Sequence, residues 1–229
     1  MPAYFEMSLQ FLRKDLYPGF IADFDGALEG AGLAFLSGFM EDQGLSREEL
    51  AAWNQRKLEA DFCLGMTEHF SHGYKQTLYR FGDYSEVRAF WMNQYPDGGQ
   101  FNCSIIIPEI EVVDEDNYTV FQADKAEQLL ELAKKLWQFP PVKVIQTGLE
   151  GDDHTSLRQL RRGVPACACP FAMLEGDCHP GDDGSQVTEL TQGRPGLLLR
   201  DSDDLPGPVI RLPAGTGFLR LEERPGPNK

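Results

Sequence analysis

The stretch YKQTLYRFGDYSEVRAFWMNQYPDGGQFNCSIIIPEIEVV, Tyr74 to Val113, carries the reading of the fold. Three runs, YKQTLYRF, SEVRAFWMN and FNCSIIIPEIEVV, hold the aromatic and β-branched residues that suit a pleated surface, and turn formers separate them. The first break is GDY. The second, QYPDGGQ, contains Pro-Asp-Gly-Gly, in which proline presets φ and glycine accepts positive φ. A β meander is the expected result. In its third strand Phe101, Cys103, Ile105 and Ile107 share one face by period-two alternation. Pro108 has no N–H to donate, which predicts an edge strand or a bulge at that point. Beyond it Glu109 and Glu111 alternate with Ile110 and Val112, so both carboxylates are expected on one side of a continuing strand.

Upstream, Ala3 to Phe11 alternates as a strand, with Phe5, Met7, Leu9 and Phe11 against Tyr4, Glu6, Ser8 and Gln10. Pro18 opens a helix through Phe20, Phe24 and Leu28 that ends near Gly30 and Gly32. LAFLSGFM is a short strand, and SREELAAWNQRKLEADF a helix in which Ser46 and Glu49 make a capping box. Downstream, Asp124 is expected to cap an amphipathic helix to about Trp137, with Ala126, Leu129, Leu130, Ala133, Leu136 and Trp137 at helical spacing. Pro140 and Pro141 stop it, VKVIQT is a strand, and HTSLRQLRR is a short helix after the acidic turn EGDD. From Gly163 on, proline and glycine become frequent and the strands short: FAMLE, GLLLR, FLRLE. The fold class is α+β, an antiparallel central sheet flanked by a few helices. Residues 1–229 read as one domain, with 163–229 a looser β portion or subdomain.

The charge is lopsided. Lys and Arg number 21 against 36 Asp and Glu, a formal net charge of −15. Such a chain is repelled by nucleic acid and by anionic lipid surfaces, so neither is an expected partner; a basic protein is. The first residues lack a basic start and an apolar run, so no signal peptide is read, and no apolar run nears the roughly 18 residues that span a bilayer. A cytoplasmic location follows as the expectation, and five cysteines, an odd number, fit free thiols.

Catalytic chemistry finds weak footing. PACACPFAMLEGDCHPGDDG, Pro165 to Gly184, brings Cys167, Cys169, Cys178 and His179 into one loop. A zinc site wants paired ligands at C-x₂₋₄-C spacing, whereas here the pairs are C-x-C and an adjacent Cys-His. A reactive thiol wants basic neighbours, and these are acidic. TEHFSH places Glu68, His69 and His72 together, but not in the order or spacing of H-E-x-x-H. EGDDHTSL gathers Asp152, Asp153, His154 and Ser156 without a G-x-S-x-G elbow anywhere, and helix capping by Asp152 or Asp153 explains it more simply. Phosphate-binding glycine loops and a complete EF-hand are absent, so no cofactor or metal is implied. A metal-dependent hydrolase using Glu68, His69 and His72, or the Cys167–His179 loop, is the rival reading; an adaptor that recruits other proteins is a third.

The acids are segregated. Ala89 to Asp124 holds Asp97, Glu109, Glu111, Asp114, Glu115, Asp116 and Asp124 with no Lys, Arg or His. Gly163 to Gly193 holds Glu175, Asp177, Asp182, Asp183 and Glu189 with no Lys or Arg. Charge runs are also what solvated loops look like. Tyr118 and Phe121, aromatic anchors amid the acids, favour an interface. The expected partner-binding residues are Glu109, Glu111, Asp114, Glu115, Asp116, Tyr118, Asp152 and Asp153.

A cytoplasmic, acidic α+β chain without catalytic motifs resembles the immunity proteins of bacterial polymorphic-toxin and type VI secretion systems. The block LYRFGDYSEVRAFWMNQYPDGGQFNCSIIIPEIEVV is similar to the TsiT-like group, which is associated with nuclease effectors. That resemblance implies a non-enzymatic protein that binds and blocks a cognate toxin, a basic nuclease-type effector. No functional residue transfers with it.

Overall fold

The computed structural model describes residues 3–63, 72–93, 99–114, 120–178, 180 and 185–201. Among the described residues nine strands form one antiparallel sheet in the order β2-β3-β4-β5-β1-β6-β7-β9-β8. They are β1 Tyr4–Leu12, β2 Ala34–Gly38, β3 Thr77–Arg80, β4 Val87–Met92, β5 Gln100–Pro108, β6 Val142–Leu149, β7 Phe171–Leu174, β8 Gln186–Glu189 and β9 Leu197–Arg200. Among the described residues the helices are α1 Phe20–Ala31, α2 Arg47–Glu59, α3 Ala123–Trp137 and α4 Leu157–Leu160. The fold is α+β, as the alternation of strand and helix patterns leads one to expect. The meander is present as β3, β4 and β5, with β2 added at the edge. No helix among the described residues is long and apolar enough to cross a membrane.

The N-terminal strand sits at the centre. β1 pairs with β5 through Tyr4↔Pro108 to Leu12↔Gln100, and on its other side with β6 through Phe5↔Leu149 to Phe11↔Val142. Its period-two pattern is obeyed throughout: Phe5, Met7, Leu9 and Phe11 have no exposed surface and enter the main core. There they meet Phe20, Phe24 and Leu28 of α1, and Leu129, Leu130 and Ala133 of α3. Phe11 is the hub of an aromatic cluster, stacked on Phe101 with ring centres 5.3 Å apart and edge-on to Phe20 and Phe24 at the same distance. Burial of this apolar layer is the largest favourable contribution to the fold. A smaller apolar cluster on the opposite face joins Val144, Ala172, Leu174, Leu197 and Leu199 to Leu157 and Leu160 of α4.

Local signals hold at several helix ends. Ser46 accepts from the Glu49 N–H at 3.2 Å while the Glu49 carboxylate accepts from the Ser46 N–H at 2.8 Å, the reciprocal capping expected for α2. Gly32 ends α1 at φ +111°, a conformation that glycine adopts without strain. Two other expectations are corrected. α3 is entered from Gln122, whose side chain does not cap the helix but donates to the Val113 carbonyl at 2.7 Å. Asp124 lies inside the first turn instead, where the helix dipole favours a carboxylate. α4 is capped by Ser156, with Gln159 completing the box, and not by Asp152 or Asp153. The strand Gln186–Glu189 carried no sequence signal that was read, and the expected strand FLRLE lies outside the described residues.

One carboxylate is buried in the main layer. Asp25 of α1 is 8% exposed, and the Tyr79 hydroxyl lies 3.5 Å from its Oδ1. Burial pushes its pKa up to about 7, against the opposing pull of the Arg47 charge. Below about pH 4 the group is neutral whether the chain is folded or not. From about pH 4 to 7 only the unfolded chain gives up the proton, so stability falls as pH rises, with a slope on the order of 1.4 kcal/mol per pH unit. Asp25→Asn is expected to be more stable than the parent at pH 8 and to lose that slope. Denaturant titrations at pH 5 and pH 8 check both, and an unchanged slope would show that Asp25 is not the group responsible.

Candidate partner-binding surface

The candidate site forms where three central strands end together. The antiparallel order β5-β1-β6 brings the end of β5, the start of β1 and the end of β6 to one edge of the sheet. The Glu109 N–H donates to the Ala3 carbonyl at 2.9 Å and anchors the exit from β5. Pro108 does not interrupt an edge strand, because β5 lies between β4 and β1. The β4 ladder has already stopped at Ile106, so the missing N–H of proline falls where a ladder bond is not required.

Past Pro108 the chain turns and does not continue as a strand. Glu109–Glu111 is a 3-10 turn, closed by the Val112 N–H on the Glu109 carbonyl at 2.9 Å. Strand alternation therefore does not apply, and Glu109 and Glu111 do different things. Glu111 takes the Ser85 N–H at 2.8 Å and the Ser85 hydroxyl as well, tying the β3–β4 turn to this end of the molecule. Glu109 remains at the surface, and exposed Ile110 lies between the two. Val113 then bridges to Phe121, and Asp114 donates its N–H to the Val120 carbonyl at 2.8 Å. Phe121 is no surface anchor: it is 3% exposed and packs edge-on against Phe5 at 6.1 Å. Asp114 is exposed beside that pairing, while Glu115, Asp116 and Tyr118 lie outside the described residues.

The second acidic segment follows β6. Gly151, at φ +104°, turns the chain, and the Asp152 carboxylate accepts the Leu149 N–H at 2.8 Å. The return is tight enough that a side chain at Gly148 would meet the Asp152 Cβ at 2.9 Å. Glu150, Asp152 and Asp153 are all exposed. Glu109 is pushed above the usual carboxylate range, first by partial burial and then by the charges of Glu150 and Asp152. Segments about forty residues apart thus share one electrostatic neighbourhood, and among the described residues no ion pair involves Glu109, Glu150, Asp152 or Asp153. Of the expected site residues the structure joins Glu109 and Asp152, sets Asp153 beside them, and assigns Glu111 to a structural tie. Glu150, which the sequence reading did not single out, also belongs to this group. The strand order that gathers them is a long-range property, invisible to local pattern.

The competing clusters resolve differently. Ser156 is committed to the α4 cap, its hydroxyl 2.6 Å from Gln159 Oε1, so it is not poised as a nucleophile. Cys178 is buried in the smaller apolar cluster and its thiol is pushed up to about 12 by burial and by Asp177. Cys167 lies near Asp152, with its sulfur 3.2 Å from the Thr147 carbonyl and its thiol pushed up to about 11 by burial. No three His, Cys, Asp or Glu among the described residues are grouped to hold a metal ion. His72 is exposed; Glu68, His69 and His179 lie outside the described residues.

The chain matches no family model and no curated protein. Among solved structures, Pseudomonas aeruginosa T6SS protein PA0821 aligns at 11% identity and a TM-score of 0.36, covering 88% of this chain and 68% of the other. A score of that size does not establish a shared fold.

The thiol environments carry a test. Burial also holds Cys103 well above an ordinary thiol, so Cys103, Cys167 and Cys178 stay protonated at pH 8 and react slowly. Titration with a chromogenic disulfide reagent is expected to show those three thiols only when the chain is unfolded. Rapid labelling of Cys167 or Cys178 in the native protein would contradict their placement.

Proposed function

We propose that the chain is a non-catalytic inhibitor, an immunity protein that neutralises a cognate basic toxin of nuclease type through its acidic sheet end. The observation that carries this reading is that the strand order brings Glu109, at the end of β5, to the same end of the sheet as Glu150 and Asp152 after β6, carboxylates that have no ion pair among the described residues. Gathering like charges opposes folding, and a partner that brings positive charge relieves the repulsion. Nucleases hold phosphate backbones with basic clefts, and a rigid array of carboxylates is the complementary surface. The net charge of −15 adds long-range attraction to the local match. Exposed Ile110, between Glu109 and Glu111, supplies an apolar contact within the acidic rim. The resemblance of the Leu78–Val113 block to type VI immunity proteins points the same way. The protein acts, on this reading, in the compartment where its toxin would do damage, the cytoplasm.

The test uses a basic partner that co-purifies with the chain and whose nuclease activity the chain abolishes. The triple reversal Glu109→Lys, Glu150→Lys and Asp153→Lys is expected to slow association on the order of 10- to 100-fold at low salt, and the difference should shrink toward one near 1 M salt. Glu111→Lys should instead lower stability with a smaller effect on association, because Glu111 holds Ser85. Stopped-flow or surface-based kinetics read the rates. Equal association by parent and triple variant would remove this end from the interface.

A further inference from the structure

The segment 150–156 crosses back over the polar face of the sheet as a strap, attached to the sheet by side-chain amides and to the following loop by the Thr155 hydroxyl, which donates to the Pro165 carbonyl at 2.6 Å. Gln146 of β6 grips Thr155 twice, donating to its carbonyl at 2.7 Å and accepting its N–H at 3.1 Å. Gln10 of β1 donates to the same carbonyl at 3.0 Å, and Gln100 of β5 accepts the Leu157 N–H at 2.9 Å. These glutamines are 0%, 3% and 2% exposed. Within this polar layer lies the ring of His154, with 14% of its side-chain surface exposed and Nδ1 3.6 Å from Glu6 Oε1. Ser104 of β5 already donates to that oxygen at 2.5 Å. Two buried atoms here have no hydrogen-bond partner among the described residues, His154 Nε2 and Gln10 Oε1.

We propose that the strap 150–156 is a proton-operated latch, closed over the sheet while His154 is neutral and released when the imidazole takes up a proton. The charged groups acting on the ring are Glu6 from β1 and Asp152 and Asp153 from the strap, and the same carboxylates act on Cys167 in the loop that follows α4. Cys167 stays neutral over the relevant range. Arg88 of β4 shares the sheet face but is ion-paired to Glu86 at 2.9 Å. The carboxylates favour imidazolium, yet burial outweighs them and the pKa lies below the ordinary histidine value. The sign follows. A histidine whose folded pKa is depressed contributes stability above its unfolded pKa and loses it as pH falls through the folded one. Charging a ring in this layer is relieved by moving it into water, and Thr155, whose backbone hangs on glutamine amides and not on a strand ladder, moves with it. Release separates Glu150, Asp152 and Asp153 from Glu109. The latch belongs to the fold and stands whether or not the acidic end binds a toxin.

Hydrogen exchange of the full chain tests it, in an Asp25→Asn background so that the other pH-sensitive carboxyl is silent. After correction for intrinsic exchange, protection of the Thr155 and Leu157 amides is expected to fall about tenfold or more between about pH 7.5 and about pH 5.5, while β1 amides hold. His154→Gln should keep the strap protected at both values, and Gln146→Leu should lose protection at both. The His154 ring, followed by NMR in the unsubstituted chain, should titrate across the same pH interval as the protection loss. Equal strap protection at the two pH values overturns the latch. So does an identical loss in His154→Gln, or in His154→Asn where the glutamine variant fails to fold, or a loss that occurs where the ring is not titrating.

Discussion

β1 is hydrogen-bonded on both sides, and its two faces are given opposite chemistry by strict alternation. One face, Phe5, Met7, Leu9 and Phe11, is sealed under α1 and α3. The other, Glu6, Ser8 and Gln10, is nearly as inaccessible at Ser8 and Gln10, which are 1% and 3% exposed, yet wholly polar. An apolar face needs only to be covered, whereas a buried polar face needs partners with matching geometry, since an unpaired buried amide is destabilising by roughly 1–3 kcal/mol. The segment after β6 supplies those partners by laying its backbone against Gln10 and Gln146. The strap, the α4 cap and the acidic turn before them all follow from that requirement, because the chain must leave β6, reverse at Gly151 and return across the sheet to meet it.

What could be read from the sequence was whatever acts within a few residues. Alternation in β1 and β5, the helical spacing of α3 and the Ser46–Glu49 box are local, and the structure obeys them. The capping misreadings have one cause, which is that several polar residues suit the same local role. Asp124, Asp152 and Asp153 are all good N-cap types, but Ser156 took the α4 cap because Gln159 stands three residues on, and Asp152 was drawn to the Leu149 N–H. Pro108 suggests an edge strand or a bulge because a proline within a central ladder is disfavoured; it sits instead in a central strand, where the β4 ladder has ended. The candidate site was half legible. Acidic segments are visible in a composition scan, but that Glu109 and Glu150 share one end of the sheet depends on β1 lying between β5 and β6, a pairing of residues about a hundred or more apart at that end.

The acids elsewhere throw this end into relief. Asp83 is bound to Lys125, Glu29 to Arg47, Asp61 to Arg13 and Asp177 to Arg161, the pattern of a surface that compensates its own charge. Surface pairs of this kind contribute little stability individually, but they do neutralise the local field. Among the described residues Glu109, Glu150, Asp152 and Asp153 have no such ion pair, so their negative charge is open to an approaching molecule where the strand ends gather them. A field of that form steers a cation toward one end of the molecule and does so before any contact is made.

The strap and the acidic end are coupled because His154 sits among the same carboxylates that would meet a partner. Each negative charge near the ring favours the imidazolium, and burial holds it neutral. A cationic partner seated over Asp152 and Asp153 offsets their field at the ring, which depresses its proton affinity further and keeps the latch closed. By reciprocity, a proton on His154 weakens the attraction of those carboxylates for the partner by the same free energy. Proton and partner therefore compete for one set of negative charges, and the strap that positions those charges is held by the species that loses a proton.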